Sequence, residues 1–312
     1  MTQPHPALVQ LRSDYRRLNE SFETSFAFRF GRGGGFCAEM LGLVKSMMAC
    51  LNRRTRLCLS RGGRPMGIGV VNGFNDYFEP LFPEIDAGIF NALNLQAVRG
   101  SGRFPIMRRG VSRLLRAATG VERFMMNDLG ALPARLVVPE LGIDAECRVA
   151  CALLMRLAWV YRTDVEQEVL RTVSEWGVPD SYLSVHVRRG DKHLESPYVT
   201  LDRYVAAIDR ARPQGSVVVV ASDDASAADE LARLLPSGFP VVLCSAASNR
   251  GFSRKGFNHL PAPERFRQVK RFLAELEVLR RGELFVGSAG SNVTYLIEMM
   301  RAGKGVLRVE SG

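Results

Sequence analysis

Two adjacent arginines at the end of a short apolar run are the residues of this chain best suited to bind an anion. The run 183–187 leads into Arg188, Arg189 and Gly190. Such a run predicts a β-strand, and in open α/β sheets ligands bind outside the carboxyl ends of the strands. Two guanidinium groups at that place suit a planar or tetrahedral anion such as a diphosphate. A strand that ends in a solvated charged turn is the alternative, and these residues alone leave both open.

A run of glycines, broken by one arginine, occupies residues 31–35. It lies between an expected strand (26–30) and an expected helix (36–51), where the backbone amides of Gly33 and Gly34 can face a phosphate or a sugar. The run is not a dinucleotide-binding fingerprint. Phe36 stands where its third glycine belongs, and no acidic residue ends the next expected strand (55–59) to hold a ribose. A tight turn without a ligand is the alternative interpretation.

A second turn of small residues spans residues 287–292 and ends in Ser291 and Asn292. It follows an expected strand and opens an expected helix, so its amides and hydroxyls could form a nest for an anion. Serine and asparagine are also ordinary helix caps. The turn gains weight as a binding element because it belongs to the same expected sheet as Arg188 and Arg189.

The acidic residues predict a site that works without a metal ion. No Asp-x-Asp pair follows a strand, and the nearest acidic pair, Asp223 and Asp224, is adjacent in sequence, so the two side chains diverge. With four histidines there is no cluster at metal-ligand spacing. Arginine, lysine and helix N-termini would then neutralise a diphosphate. Glu195, four residues beyond Asp191, is a candidate general base, although a loop glutamate is more often simply solvated.

These residues need an α/β framework to position them. The second half of the chain alternates strands with helices, which indicates a parallel sheet with helices on both faces. The expected strands cover residues 182–187, 216–221, 239–244, 283–286 and 305–309, and the expected helices 201–212, 225–235, 263–281 and 291–302. The first half opens as strand, loop, helix and strand. We therefore predict an α/β fold of glycosyltransferase-B type, in which two Rossmann-like domains (1–178, acceptor side, and 179–312, nucleotide-sugar-binding) face a cleft.

Three other segments carry weaker expectations. The first twenty residues are interpreted as a frayed, charged lead-in, and residues 61–135 as loops and short helices with a strand at 135–138. Residues 145–176 are expected to be helical with a break near 162–164, and the turn at 177–180 is expected to join the two domains.

The amino-acid composition limits the classes of binding partner but does not identify one. The 312-residue chain has 46% hydrophobic and 24% charged residues, which excludes wholesale disorder. Its net charge of +10 favours anionic partners: nucleic acid, a phosphorylated substrate, or an acidic membrane or glycan surface. One basic stretch is either a solvated face or part of an acceptor or anionic-surface site, and it comprises Arg99, Arg103, Arg108, Arg109, Arg113 and Arg116. A non-catalytic nucleic-acid binder remains an alternative, but no recognised nucleic-acid motif accompanies the charge.

The cysteines and the N-terminal residues predict a cytoplasmic protein. The six cysteines are dispersed without zinc-ligand spacing, and Cys147 and Cys151, one helical turn apart, are interpreted as core thiols rather than a metal pair. Residues 1–16 show no secretory pattern, and the longest apolar run, 149–161, is too short to span a bilayer. We therefore expect no more than peripheral membrane contact.

Taken together, the motifs resemble those of the GDP-fucose-dependent α-1,6-fucosyltransferases. The matching segments occur in the same order as in the family and cover roughly residues 25 to 310. They are Gly31–Phe36, Gly73–Pro80, His186–Lys192, Val219–Asp224 and Phe285–Val293. The resemblance implies an inverting, metal-independent transfer of L-fucose from GDP-β-L-fucose to a hydroxyl of a glycan or glycoconjugate. It implies no cofactor, and a small enzyme without the membrane anchor, stem and SH3-like module of the animal members.

The same resemblance implies a role for each matching residue. Arg188 and Arg189 are the diphosphate-contacting and structural arginines, and His186 lies near the nucleoside. Glu275 takes the place of an aspartate that contacts guanine. Ser291 and Asn292 face the phosphates and the sugar, and Asp223 and Asp224 belong to the donor site. Glu195 is the general base, assisted by Asp191 and Lys192.

Of three departures from the family pattern, two bear on the donor and the third bears on Glu195 as the base. Asn292 replaces a glutamine, Glu275 replaces the aspartate, and the segment from Lys192 to Glu195 is one residue shorter. Donor choice rests on few contacts, so a glycosyltransferase of the same fold that uses another nucleotide sugar is the second enzyme hypothesis.

Overall fold

The computed structural model describes most of the chain as two compact units. The described residues are 6–30, 35–60, 73–85, 114, 117–118, 121–122, 132–190, 198–211, 216–236, 239–244, 251–252 and 254–310. Tertiary contacts divide the chain between Val160 and Tyr161, and residues 35–38 belong with the C-terminal unit. The predicted domain boundary at 178/179 stays a prediction.

The N-terminal unit is built on a short parallel sheet. Its elements are α1 (Pro6–Ser21), β1 (Ser25–Phe28), α2 (Phe36–Asn52), β2 (Arg56–Ser60), β3 (Glu84–Ile85), β4 (Val121–Glu122), β5 (Arg135–Val138), β6 (Ile143–Glu146) and α3 (Cys147–Ala158), with the first turn of α2 assigned to the other unit. The sheet has the order β3-β2-β1-β4, and its described pairs are parallel. A separate antiparallel hairpin joins β5 to β6, of which the sequence predicted only β5.

Residues Pro6–Ser21 form a helix, so the expectation of a frayed lead-in was wrong for this part of the chain. The face of α1 that is buried carries Arg12, Tyr15 and Asn19, which a hydrophobic pattern does not reveal. The Asn19 side chain donates to the Leu57 carbonyl oxygen (2.9 Å) and accepts from the Leu57 N–H (2.7 Å), in the manner of a neighbouring strand. Arg12 donates to the carbonyl oxygen of Leu157 at the end of α3. Backbone groups that burial would leave unpaired therefore fix this helix.

The segment Gly73–Pro80 is one of those that resemble the fucosyltransferase family. Its aromatic side chains pack in the core of the N-terminal unit. It forms a single 3₁₀ turn at Gly73–Asp76, in which the Gly73 N–H donates to the Asp76 carboxylate (3.0 Å). The Phe74 and Phe78 rings stack with their centroids 4.9 Å apart, and the centroids of the Phe78 and Trp159 rings are 5.0 Å apart. These aromatic rings bury large apolar areas, which accounts for the residue types without a ligand.

The C-terminal unit is built on a parallel sheet of five described strands. Its strands are β7 (Tyr182–Val187), β8 (Val217–Ser222), β9 (Val241–Leu243), β10 (Leu284–Ser288) and β11 (Val306–Val309). Its helices are α4 (Thr163–Glu175), α5 (Leu201–Ala211), α6 (Ala225–Leu234), α7 (Arg254–His259), α8 (Ala262–Arg281) and α9 (Asn292–Met300). The strand order β11-β10-β7-β8-β9 is that of doubly wound nucleotide-binding sheets, with the first strand in the middle.

Helices cover both faces of this sheet, as the alternating pattern predicted. On one face Leu183, Val185 and Val187 pack into an apolar core with residues of α5 and α6. On the other face α8 lies against the sheet, where the Tyr182 hydroxyl donates to the Val278 carbonyl (2.8 Å) and the Ser184 hydroxyl donates to that of Leu279 (2.9 Å). This second face is more polar, and it leads to the site described below. Within the described residues, no helix is long and apolar enough to cross a membrane.

Candidate functional site

The site lies where the chain leaves β7 and β10, the two central neighbouring strands of the C-terminal sheet. The register pairs His186 with Gly287, so Arg188 and the turn at Ala289–Ser291 emerge at the same edge. In a sheet of this strand order the connections on either side of this pair run over opposite faces, which opens a crevice at the carboxyl ends. The predicted arginine motif and the predicted small-residue turn are thus brought together.

Asp223, at the end of β8, organises this edge. Its carboxylate accepts from the Arg188 guanidinium and from the backbone N–H groups of Arg189 (2.7 Å) and Phe252 (3.3 Å). The Arg188 and Asp223 side chains are only 20% and 13% exposed. Burial raises the pKa of Asp223, while Arg188 and these N–H donors act in the opposite direction. The carboxylate therefore fixes Arg188 at the crevice, which the sequence did not reveal.

A close backbone approach completes the turn around Asp223. The Gly251 N–H donates to the Asp223 carbonyl oxygen (2.8 Å). Gly190 has a φ of +59°, and a Cβ placed there would lie 2.5 Å from the Phe252 nitrogen and 2.7 Å from an Asp223 carboxylate oxygen. Only glycine fits both the backbone conformation and the space. The glycine of the arginine motif is thus required by packing against Phe252 and Asp223, which are distant from it in sequence.

The two arginines point to different partners. The Arg188 guanidinium lies 5.5 Å from the centroid of the Phe252 ring, and the Arg189 guanidinium lies 4.9 Å from that of Tyr198. Arg189 also donates to the Val199 carbonyl oxygen (3.0 Å). Arg189 thereby ties β7 to the segment before α5, whereas Arg188 is held beside Asp223. Tyr198 and Phe252 were not among the predicted site residues.

The turn after β10 leads into the N-terminus of α9. Ser291 is buried and caps the helix, its hydroxyl accepting from the Val293 N–H (3.3 Å), and Asn292 is the exposed first helical residue. A helix N-terminus presents backbone N–H groups and a partial positive charge, which favours an anion. Tyr204 of α5 is fully buried, burial raises its pKa, and its hydroxyl lies beside the Ser288 side chain and the Arg188 backbone.

Buried polar atoms line the face of the sheet below this edge. His186 and Thr294 are 3% and 0% exposed, and the His186 Nδ1 and the Thr294 hydroxyl have no hydrogen-bond partner among the described residues. Burial and the neighbouring Arg188 charge lower the pKa of His186 to about 3, so the imidazole is neutral. Unpartnered polar atoms are costly inside a protein. His186 lies two residues before Arg188 and Thr294 three residues after Ser291, so both atoms are close along the chain to the residues of the crevice.

Glu275 of α8 belongs to the same buried region. It is 8% exposed, and burial raises its pKa from 4.5 to about 8, with Asp223 acting in the same direction and Arg271 in the opposite one. A protonated carboxyl can donate a hydrogen bond as well as accept one. The structure therefore places Glu275 as a neutral polar group at neutral pH.

The other predicted site residues fall into two groups. Asp224 caps α6, where its carboxylate accepts from the Ser226 N–H (3.0 Å) and hydroxyl (2.6 Å), so this residue already has a structural task. Some of the predictions lie outside the described residues, and they concern Gly33, Gly34, Asp191, Lys192, Glu195 and the stretch from Arg99 to Arg116. Cys37, two residues after Gly35, lies within the C-terminal unit and is near enough to Arg188 for that charge to lower its pKa, although burial raises it.

No group of three or more histidine, cysteine, aspartate or glutamate side chains is placed to hold a metal ion within the described part of the chain. Among the described residues, the cation held at the crevice is Arg188, and the adjacent Arg189 is directed to Tyr198 and Val199.

Comparison with known proteins identifies the fold. No family model matches the sequence, and no curated protein matches it. Among solved structures, the fucosyltransferase NodZ from Bradyrhizobium is 16% identical, with a TM-score of 0.52 over 91% of this chain and 93% of that chain. The NodZ α-1,6-fucosyltransferase in a crystal soaked with GDP-fucose has a TM-score of 0.53 at 16% identity, over 89% of this chain and 92% of that chain.

A plant enzyme gives a similar match. The FUT1 protein of Arabidopsis thaliana, in complex with GDP, has a TM-score of 0.54 at 13% identity, over 96% of this chain and 78% of that chain. At such identities the likeness is one of fold. The chain has the mixed α/β fold, with parallel sheets, of these fucosyltransferases.

The close approach at Gly190 can be tested against a glycine of the same conformation. Gly177 has a φ of +62°, with nothing within 4 Å of an added Cβ. Gly177→Ala should therefore cost only the backbone strain, about 1–2 kcal/mol. Gly190→Ala should lower the melting temperature further, because the new Cβ displaces Phe252 or Asp223. Calorimetric unfolding of both variants measures the difference, and equal losses would show that the contact is unimportant.

The raised pKa of Glu275 predicts a dependence of stability on pH. Between pH 4.5 and about 8 the folded protein keeps a proton that the unfolded chain has released. The free energy of unfolding therefore falls as the pH rises through this window. Glu275→Gln removes the titration, so its gain in melting temperature over wild type should grow from pH 5 to pH 8. The exposed Glu230→Gln serves as the control, and parallel profiles for wild type and Glu275→Gln would contradict the prediction.

Proposed function

We propose that this protein is an inverting, metal-independent fucosyltransferase that moves L-fucose from GDP-β-L-fucose to a hydroxyl of a glycan or glycoconjugate. The observation that carries the proposal is the placement of Arg188 by Asp223 beside the N-terminus of α9. The fold shared with the NodZ and FUT1 structures supports it, since the NodZ crystal was soaked with GDP-fucose and the FUT1 protein is in complex with GDP.

The diphosphate of the donor would occupy the crevice at the ends of β7 and β10. Charge grows on the leaving phosphate as the glycosidic bond breaks, and a preorganised cation stabilises that charge most when little water surrounds it. Arg188 meets this requirement because its position is fixed before the donor arrives. The backbone N–H groups at the start of α9 would take the remaining phosphate oxygens, with Ser291 holding the turn and Asn292 facing the sugar.

The nucleoside would lie over the buried polar residues beside the crevice. His186 in its neutral form, Thr294 and Glu275 offer polar atoms to a base that has both donors and acceptors, as guanine has. A protonated Glu275 could accept from one edge of the base and donate to another. This arrangement would compensate for the cost of burying these atoms without partners.

The chemical step would be a single displacement at the anomeric carbon. The acceptor oxygen attacks from the face opposite GDP, its proton passes to a carboxylate, and the C–O bond to the phosphate breaks with its electron pair left on GDP. Glu195 is the proposed base, and Asp191 and Lys192 would assist by orienting it. All three residues follow Arg189 within six positions of the sequence, so they lie close along the chain to the proposed diphosphate site.

The two-domain arrangement and the metal independence are parts of the same proposal. We propose that two Rossmann-like domains face a cleft and that their closure excludes water, which would otherwise hydrolyse the donor. Arg188, Arg189 and helix N-termini would supply the positive charge that other transferases take from a divalent cation. Undiminished turnover in the presence of a chelator is the expected behaviour.

One prediction of the proposed function concerns the guanidinium of Arg188. Arg188→Ala should weaken GDP binding and lower the rate of GDP-fucose hydrolysis, the latter by about 10²–10³-fold. Arg188→Lys should recover only part of the loss, because an ammonium group lacks the planar fork. Calorimetric titration with GDP and UDP, together with a hydrolysis assay, measures both effects. Wild type should prefer GDP.

Controls separate binding from folding in this experiment. Arg171→Ala removes an exposed arginine that pairs with Glu175 on α4, and it should behave as wild type. Melting temperatures of all variants show whether Asp223 tolerates the loss of its partner. A preference for UDP would favour the transferase with another donor, and turnover unaffected in a folded Arg188→Ala would contradict the catalytic scheme.

Another prediction of the proposed function concerns Glu195. Glu195→Gln should leave GDP affinity unchanged and reduce transfer by about 10²–10⁴-fold, the contribution of a general base. The acceptor for the assay comes from a glycan array incubated with labelled GDP-fucose. Glu230→Gln is the matched control on an exposed helix face. If Glu195→Gln transfers fucose at the wild-type rate, the base is another residue.

A further inference from the structure

Three sulfur atoms meet inside the N-terminal unit, away from the residues discussed above. The Cys147 and Cys151 thiols both contact the Met48 thioether, at 3.8 and 3.6 Å. Burial, together with the neighbouring Cys147 thiol, raises the pKa of Cys151 to about 12. The cysteines are one turn apart on α3, so both side chains leave the helix on one face, and Met48 faces them from α2.

Two thiols and a thioether form a characteristic set of ligands. Such soft sulfur donors select Cu(I), whereas Zn²⁺ in structural sites takes four ligands and Mg²⁺ or Ca²⁺ takes oxygen. We propose that Met48, Cys147 and Cys151 bind one soft monovalent cation, Cu(I). On binding, each thiol coordinates as thiolate and releases its proton to solvent, and no electron is transferred.

The two contacts that the Met48 sulfur makes with the cysteine sulfurs have lengths that suit this ion. Three metal–sulfur bonds of about 2.3 Å, the length found for zinc thiolates, would separate the sulfurs by about 4.0 Å in a trigonal plane. The observed contacts of 3.6 and 3.8 Å need to widen by only a few tenths of an ångström. Met48 is fully buried and Cys151 nearly so, which holds two of the three ligands in place.

Access and charge also favour the site. Cys147 is partly exposed, so an ion can reach the cluster from the surface. It is the first residue of α3, where backbone N–H groups and the helix dipole stabilise a thiolate. Lys45 lies near Cys151 and places a positive charge beside the proposed ligands. One cation and two thiolates carry a net negative charge, which Lys45 partly offsets.

The proposal is tested by anaerobic titration of the whole protein with Cu(I), kept reduced by ascorbate, against a chromogenic Cu(I) chelator. Wild type should bind one equivalent in competition with the chelator. Cys147→Ser should lose at least about a hundredfold in affinity, since even second-layer partners of metal ligands contribute ten- to a hundredfold. Met48→Leu, which keeps the side-chain volume, should lose less because both thiols remain. X-ray absorption of the wild-type complex should show three sulfur neighbours.

Matched controls address the other sulfurs. Met47→Leu changes the adjacent buried thioether of α2, and Cys244→Ser changes a buried thiol of the C-terminal unit; both should bind as wild type. Cys147 is the ligand least dependent on packing, so its variant should stay folded, as circular dichroism will show. Equal affinity of wild type and folded Cys147→Ser, or a spectrum with nitrogen or oxygen neighbours only, would overturn the proposal. Neither result depends on glycosyl transfer.

Discussion

The hydrogen bonds to the Asp223 carboxylate are the constraint on which the site depends. One partly buried acid accepts hydrogen bonds from the Arg188 guanidinium and from the N–H groups of Arg189 and Phe252, and so joins the ends of β7 and β8 to residues 251–252. A carboxylate in this position needs those donors because its burial is otherwise unfavourable. The same donors hold the arginine in one orientation. The cost of burial thus produces the preorganised cation that a diphosphate requires.

The glycine of the arginine motif follows from the same constraint. Phe252 can reach the Asp223 carboxylate only if the chain at Gly190 has no side chain, since a Cβ would overlap both residues. Charge, hydrogen bonding and backbone conformation are therefore coupled within a few ångströms. The opposite side of the crevice needs no such pairing of side chains to present donors to an anion. The start of α9 supplies N–H groups there by helix geometry alone.

Most secondary-structure elements of this chain could be predicted from local sequence, whereas contacts between distant residues could not. Apart from α7, which was not predicted, the helices and strands of the C-terminal unit follow from periodicity, and most boundaries agree within two residues. The predicted helix 225–235 is observed as 225–234, and the predicted strand 305–309 as 306–309. Helix α1 was missed because its buried face is polar and is stabilised by backbone groups of β2 and α3 rather than by apolar contacts. Tyr198, Tyr204 and Phe252 were missed because nothing in their neighbourhood along the chain marks them.

The sequence by itself determined that a strand delivers two arginines to a sheet edge, and that a second turn of small residues opens a helix in the same sheet. These conclusions rest on interactions within a few residues, which composition and spacing encode. Only the tertiary structure decided that Arg188 pairs with Asp223 while Arg189 binds Val199, and that burial keeps Glu275 protonated and His186 neutral. Those outcomes depend on which distant groups share a low-dielectric interior, and only the folded chain brings them together.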